Sequence, residues 1–271
     1  MKDAAFVIPV HSPRFRDFGV PVVQSYNDYF EDNDLFVVFS DSEEATEFAS
    51  MAGDLRYTPV VCDEQYTCTK PITQKKFFGV NYVYNNTDKE YVAAIDADCL
   101  FIAHKDYSAM FADWFNKKTL FGTTSNNHSI IHNVGRATAK LFFSREDVTR
   151  LEELTENFTC YHWFNEIPVY NRETFMAFME YIDYHNNKHK LEYITFDYMM
   201  YSFFMLANGH FRLEKVNTKP HDGGSLLEAQ KLFEPAFFED VFKHYSPMWI
   251  KNPIGHEHMK NVFIRFHTDR G

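Results

Sequence analysis

Two carboxylates one residue apart, Asp96 and Asp98, follow the apolar run Tyr91-Val92-Ala93-Ala94-Ile95 and precede Cys99-Leu100-Phe101-Ile102. Carboxylates set among apolar residues are costly to bury unless something compensates their charge. In extended backbone, residues two apart point the same way. The pair is therefore expected to hold one hard cation, Mn2+ or Mg2+, which favour oxygen ligands and complete their shells with substrate phosphates. A bare Asp-x-Asp also fits two solvated loop carboxylates or a helix cap, but its place at the end of an apolar strand favours the chemical reading. A second concentration of chemistry is Cys160-Tyr161-His162-Trp163-Phe164-Asn165-Glu166-Ile167-Pro168-Val169-Tyr170. Rings with polar neighbours suit the apolar face of a sugar, and Glu166 could bind or deprotonate a hydroxyl there; a core-lining loop fits the same residues.

These side chains need a frame. Ala5 to Val10, Leu35 to Phe39, Tyr57 to Cys62 and Tyr91 to Ile95 read as strands apolar throughout, and helix-like stretches separate them, among them Thr73 to Tyr84. That alternation predicts an α/β fold with a mostly parallel central sheet flanked by helices. Ligands of such sheets bind beyond the carboxyl ends of the strands, where His11, Asp41 and Asp96 stand. Ser42 is expected to cap a helix whose first turn carries Glu43 and Glu44. Farther on, Leu120 to Thr124 and Ala139 to Phe143 read as strands. Ser144 starts a helix through Leu154, Arg172 to Tyr184 is amphipathic, and Phe196 to Ala207 is a helix closed by Gly209. Phe211 to Val216 returns as a strand. The tail from Ser225 reads as helix and loop, and His256, His258 and His267 in it read as solvated or structural.

The chain has 271 residues, 27 Lys plus Arg against 38 Asp plus Glu, and a net charge of −11. That balance excludes a general nucleic-acid binder, which needs a basic surface to neutralise phosphates. No window is long and apolar enough for a membrane span. Four cysteines without a paired spacing read as free thiols. The unusual figure is aromatic content, 18 % of residues, enough to fill a core and also to line a pocket.

In order and spacing, Phe6-Val7-Ile8-Pro9-Val10, then Phe36 to Asp41, then Tyr91 to Ile95 with Asp96-Ala97-Asp98, resemble a glycosyltransferase of the GT-A fold over about residues 4 to 222. The resemblance implies a nucleotide-sugar donor, a glycan or glycoconjugate acceptor, and a divalent metal held by Asp96 and Asp98. It implies nucleotide contacts from Pro9, Val10, His11 and Asp41, with Lys75 or Lys76 near the donor; a solvated helix face is the plain alternative for the two lysines. Thr195 to Tyr201 followed by Leu206 to Leu213 is similar to a family stretch in which an acid opening a helix is the general base of inverting members. That position is Asp197, although the family often has two acids in a row where this chain has Phe196-Asp197. Glu166 is the second candidate for the base. His221, in the loop ending Gly223-Gly224, occupies the place of a third metal ligand. The donor expected is a UDP-sugar, and the setting is synthesis of a surface polysaccharide or glycoconjugate.

The division expected is a GT-A-like catalytic domain over 1–224, with a nucleotide-sugar half to about 105 and an acceptor half from about 106, and a helical and loop C-terminal extension, 225–271, packing on it. Without a visible signal or span, the expected location is cytoplasmic. Two rivals differ in kind. A sugar-phosphate nucleotidyltransferase would carry a Gly-rich basic loop after the first strand, where this chain has His11-Ser12-Pro13-Arg14-Phe15. A non-catalytic glycan- or nucleotide-binding domain would not need the metal pair, the strand-end Asp and the helix-start Asp together.

Overall fold

The first apolar run, Ala4–Pro9 (β1), is buried along its whole length. A computed structural model places it at the centre of a five-stranded sheet and describes residues 2–63, 66, 71–101, 104, 106–124, 130–158, 160–161, 169–192, 195–215, 248–250 and 264–266. Then α1 (Val20–Tyr29), β2 (Leu35–Phe39), α2 (Ser42–Ala52), β3 (Thr58–Val61), α3 (Ile72–Asn86) and β4 (Tyr91–Ala94) alternate helix and strand. They are followed by β5 (Leu100–Phe101), α4 (Tyr107–Lys117), β6 (Thr119–Thr124), α5 (Ile130–Phe142), α6 (Arg145–Leu154), β7 (Cys160–Tyr161) and β8 (Val169–Asn171). The remaining elements are α7 (Arg172–Tyr181), α8 (Tyr184–Asn187), α9 (Asp197–Ala207), β9 (Arg212–Lys215), β10 (Met248–Ile250) and β11 (Ile264–Phe266).

The main sheet runs β3-β2-β1-β4-β8. Strands β1 to β4 are parallel, Phe6 facing Leu35 on one side and Ala93 on the other, and β8 lies antiparallel to β4 with Tyr170 opposite Val92. The chain winds outward from β1 to β3, then crosses back to place β4 on the other side of β1. The strand order thus reverses between β1 and β4, and the loops leaving their carboxyl ends diverge into a crevice. Val10-His11-Ser12 leaves one strand and Ile95-Asp96-Ala97-Asp98 the other. This is the mixed α/β class with a mostly parallel central sheet flanked by helices. Two smaller sheets, β7-β6-β9 and β10-β11-β5, lie beside it.

Alternation along β1 sorts the two faces. Phe6 meets the rings of Tyr26 in α1 and of Tyr107 and Phe111 in α4. Val7 points the other way, to α3, which lies close on the sheet because residue 79 is glycine. A Cβ there would sit 2.6 Å from Val7 Cγ1 and 2.7 Å from Val38 Cγ2. Gly79→Ala should therefore destabilise by about 1–3 kcal/mol through overpacking, despite the better helix propensity of Ala. A urea titration checks it, and an unchanged or raised midpoint would refute the close contact.

Several elements differ from the sequence reading for identifiable reasons. Ala139 to Phe143 is not a strand but the last turns of α5. Val134, Thr138 and Phe142 are buried while Lys140 and Leu141 are exposed, a helical spacing that the short apolar run concealed. Asp41, not Ser42, caps α2, its Oδ1 accepting the Glu44 N–H at 2.8 Å. Extended geometry ends at Asp96: Cys99 N–H donates to Asp96 O at 3.2 Å, closing a turn over Ala97-Asp98. In the tail, the described residues 248–250 and 264–266 are strand, with β11 antiparallel to β5. Gly209 does adopt the left-handed conformation expected beyond α9, φ 69°.

Candidate active site

Helix α3 enters the crevice with an unusual first half. Thr73, Gln74, Lys75 and Lys76 are all buried, which excludes a solvated face for the two lysines. Adjacent residues project roughly 100° apart around a helix, so the ammonium groups reach different segments. Lys75 Nζ donates to Val10 O at 2.7 Å and lies 3.4 Å from Glu44 Oε2. Lys76 Nζ lies 3.0 Å from Asp96 Oδ1, at the end of β4, and 3.0 Å from Asp197 Oδ1, at the start of α9. The opposite oxygen, Asp197 Oδ2, accepts from the Tyr170 hydroxyl of β8 at 2.6 Å.

Four elements thereby form one polar chain, Tyr170–Asp197–Lys76–Asp96, running from the core to the crevice. The side chains of Lys76 and Asp197 are 7 % and 4 % exposed, and that of Asp96 is 43 % exposed. Burial alone would lower the pKa of the Lys76 ammonium, but Asp197 and Asp96 outweigh it and hold the pKa above the ordinary lysine value. Burial, reinforced by Asp197, pushes the Tyr170 phenol well above its ordinary value, so the hydroxyl stays a donor. Two tethers fix the ends: Thr73 Oγ1 donates to Thr195 O at 2.6 Å, and the Tyr84 hydroxyl donates to Tyr170 O at 2.7 Å. With one lysine between two aspartates, the cluster keeps a net negative charge whose accessible end is Asp96.

Of the residues singled out in the sequence, Asp96, Lys76 and Asp197 are brought together. Pro9, Val10 and His11 end β1 beside them, with Val10 joined to α3 through Lys75. Asp41 ends β2 and caps α2. Glu166 and His221 lie outside the described residues, as do Trp163 and Phe164. Tyr170 is no exposed sugar platform: its ring is fully buried among Phe77, Phe175 and Tyr201. Its antiparallel pairing with Val92, and its hydrogen bond to Asp197, had no signal beyond three residues of strand after a proline. Glu44 was visible only as a first-turn acid, and its side chain instead gathers the loops after β1 and β2.

Mn2+ or Mg2+ requires hard oxygen donors. Asp96 and Asp98 supply two carboxylates on one tight turn at the crevice, which fits such an ion. Among the described residues no group of three His, Cys, Asp or Glu side chains is placed to hold a metal. Of the described residues these two would contribute, with other positions open to phosphate oxygens and water; His221, the expected third ligand, lies outside the described residues.

The fold and site define an α/β protein with a carboxylate–lysine–carboxylate cluster at the strand-order reversal of a parallel sheet. No protein-family model and no curated protein matches the sequence. Among solved structures, the chain is similar to core-mannan synthase A of Aspergillus fumigatus in its Mn/GDP form, at 11% identity over 79% of this chain and 72% of that one, with TM-score 0.40. It is similar to a Bacillus anthracis protein assigned as a glucose-1-phosphate thymidylyltransferase, at 11% identity over 84% and 93%, TM-score 0.40. S. aureus TarS, residues 1–349, matches at 12% identity over 80% and 59%, TM-score 0.35. No residue role passes to this chain from any of them. Among the described residues, no helix is long and apolar enough to cross a membrane.

Proposed function

We propose that the chain is a metal-dependent glycosyltransferase that moves a sugar from a nucleotide-diphosphate sugar, with UDP the expected nucleotide, to a hydroxyl of a glycan or glycoconjugate. The observation that carries this reading is the placement of Asp96-Ala97-Asp98 at the reversal of the parallel sheet, with Asp96 held by a buried lysine. The nucleotide is assigned to the loops after β1 and β2, with Pro9, Val10, His11 and Asp41 nearest. Asp96 and Asp98 would hold the divalent ion, which when bound supplies Lewis-acid stabilisation of the charge on the departing diphosphate.

Lys76 fixes the orientation of Asp96, and Asp197 and Tyr170 fix Lys76. In an inverting reaction Asp197 would accept the proton of the attacking hydroxyl, for which Tyr170 must release Oδ2 and the packing that leaves Asp197 4 % exposed must open to the acceptor. In a retaining reaction Asp197 stays between Lys76 and Tyr170, orienting the site. NMR of the anomeric configuration of the product against that of the donor separates the two.

A nucleotide-sugar panel with Mn2+, read by released nucleoside diphosphate, tests the function. Asp96→Ala and Asp98→Ala should each lower turnover by about 10²-fold or more, as loss of a preorganised charge contact does, with unchanged circular dichroism. Full activity in both variants, or in excess chelator, would remove the metal from the mechanism.

A further inference from the structure

Glu44 belongs to α2 yet joins four segments at the carboxyl edge of the sheet. Its Oε2 accepts the Ser40 N–H after β2 at 2.7 Å, and Lys75 Nζ of α3 lies 3.4 Å from the same oxygen. Its Oε1 accepts the Ser12 N–H after β1 at 3.3 Å, with His11 Nδ1 3.8 Å away. Lys75 completes the arrangement by donating to Val10 O at 2.7 Å. The loop leaving β1 is therefore held on both sides of His11, through the carbonyl of Val10 and the amide of Ser12.

The charges are enclosed: the Lys75 and Glu44 side chains are 5 % and 14 % exposed. An ion pair so placed is held by geometry and by the additional hydrogen bonds around it. The loop His11-Ser12-Pro13-Arg14-Phe15 contains no glycine and does not shape itself around a ligand by backbone freedom. It closes a short turn of its own, Arg14 N–H donating to His11 O at 2.8 Å around Pro13, and one carboxylate and one ammonium from two different helices anchor the start of that turn to the sheet edge.

We infer that Glu44 and Lys75 are positioning residues that set the Val10–Ser12 backbone in the form that receives the nucleotide of the donor. The inference rests on the nucleotide-sugar reading above and assigns its nucleotide subsite a supporting pair. Neither side chain touches the reacting atoms. Their effect falls on donor binding, whereas the sugar transfer itself takes place at Asp96 and Lys76.

The test is donor hydrolysis by the full chain with Mn2+, comparing kcat with KM, together with amide exchange at Ser12 and Ser40. Glu44→Gln removes the charge at constant size. Glu44→Asp keeps the charge but shortens its reach, and serves if the first variant folds poorly. Either should raise KM for the nucleotide-sugar about tenfold with kcat within about twofold, the pattern of lost uniform binding, and should speed exchange at both amides. A purely structural role would not separate KM from kcat. An unchanged KM in both variants, or a lower kcat at unchanged KM, overturns the inference and leaves the glycosyltransferase reading standing. Failure of the unsubstituted chain to hydrolyse any nucleotide-sugar overturns both.

Discussion

Lys76→Met is expected to abolish turnover and to lower the unfolding free energy by about 3–5 kcal/mol, the loss that follows when one partner of a buried ion pair is removed. The cost falls on Asp197. Asp96 is partly in water and can be rehydrated, but the Asp197 side chain is 4 % exposed and, among the described residues, would keep the Tyr170 hydroxyl as its one side-chain donor. A buried carboxylate left with a neutral donor alone must be protonated or must draw water inward. Stability and activity can be parted. Lys76→Met combined with Asp197→Asn removes both charges, so most of the lost stability should return while turnover stays absent, because Asp96 has lost its tether and small displacements of reacting groups cost about 10²-fold. Denaturant titrations of the single and double variants, beside the donor assay, check this. A double variant no more stable than Lys76→Met would refute the buried-charge account. One that regained activity would remove Lys76 from the site.

Most of the frame that carries this cluster was legible. The runs that became β1, β2 and β4 are apolar throughout because both faces of a parallel sheet are covered, and no other common element writes that pattern between helices; β3, at the sheet edge, buries Val60 and exposes Pro59 and Val61. The reversal of strand order was not written there, yet it decides the location of the site: the loops after β1 and β4 share a crevice because β4 returns to the far side of β1. Asp96 and Asp98 were visible because carboxylates among apolar residues demand a reason. The partners of Asp96 were harder to see. Lys75 and Lys76 resemble a solvated helix face, and only the contacts of α3 with α2, with the residue after β4 and with α9 show that each ammonium ends on a carboxylate. Tyr170 was hidden by its neighbours, since an aromatic-rich stretch fits a ligand platform or a core equally well until Val169–Asn171 is seen to pair with β4. Glu44 hid differently. Its sequence position explains a favourable helix start and gives no hint that its carboxylate spans to Ser12 and Ser40. Side chains that join distant segments have no local pattern, so the chemistry was readable at strand ends and unreadable where helices cross.

The largest single effect on stability is expected in alkali. Tyr26, Tyr84, Tyr107, Tyr170 and Tyr201 are at most 4 % exposed. Burial raises the pKa of each above the ordinary phenol value, with Asp32 adding to the shift at Tyr26 and Asp197 at Tyr170. A group whose folded pKa exceeds its unfolded pKa contributes stability that is fully present below the unfolded value and is lost as pH rises above it. Here the unfolded chain releases phenolic protons above about pH 10 while the folded chain retains them, so the unfolded state gains about 1.4 kcal/mol per pH unit for each tyrosine. Five together give about 7 kcal/mol per unit, against a total stability of about 5–15 kcal/mol for a typical domain. Lys76, with its pKa also raised, acts in the same direction. Lys75, lowered by burial, acts oppositely, but only below the ordinary lysine value. The protein should therefore unfold within about two pH units above pH 10, with tyrosinate absorbance and loss of helical circular dichroism appearing in one cooperative step. Gradual phenol titration with helicity retained would refute it. Tyr107→Phe sharpens the test, because the Tyr107 hydroxyl is buried without a hydrogen-bond partner among the described residues. Its removal should cost little at neutral pH and should weaken the alkaline slope by about 1.4 kcal/mol per pH unit.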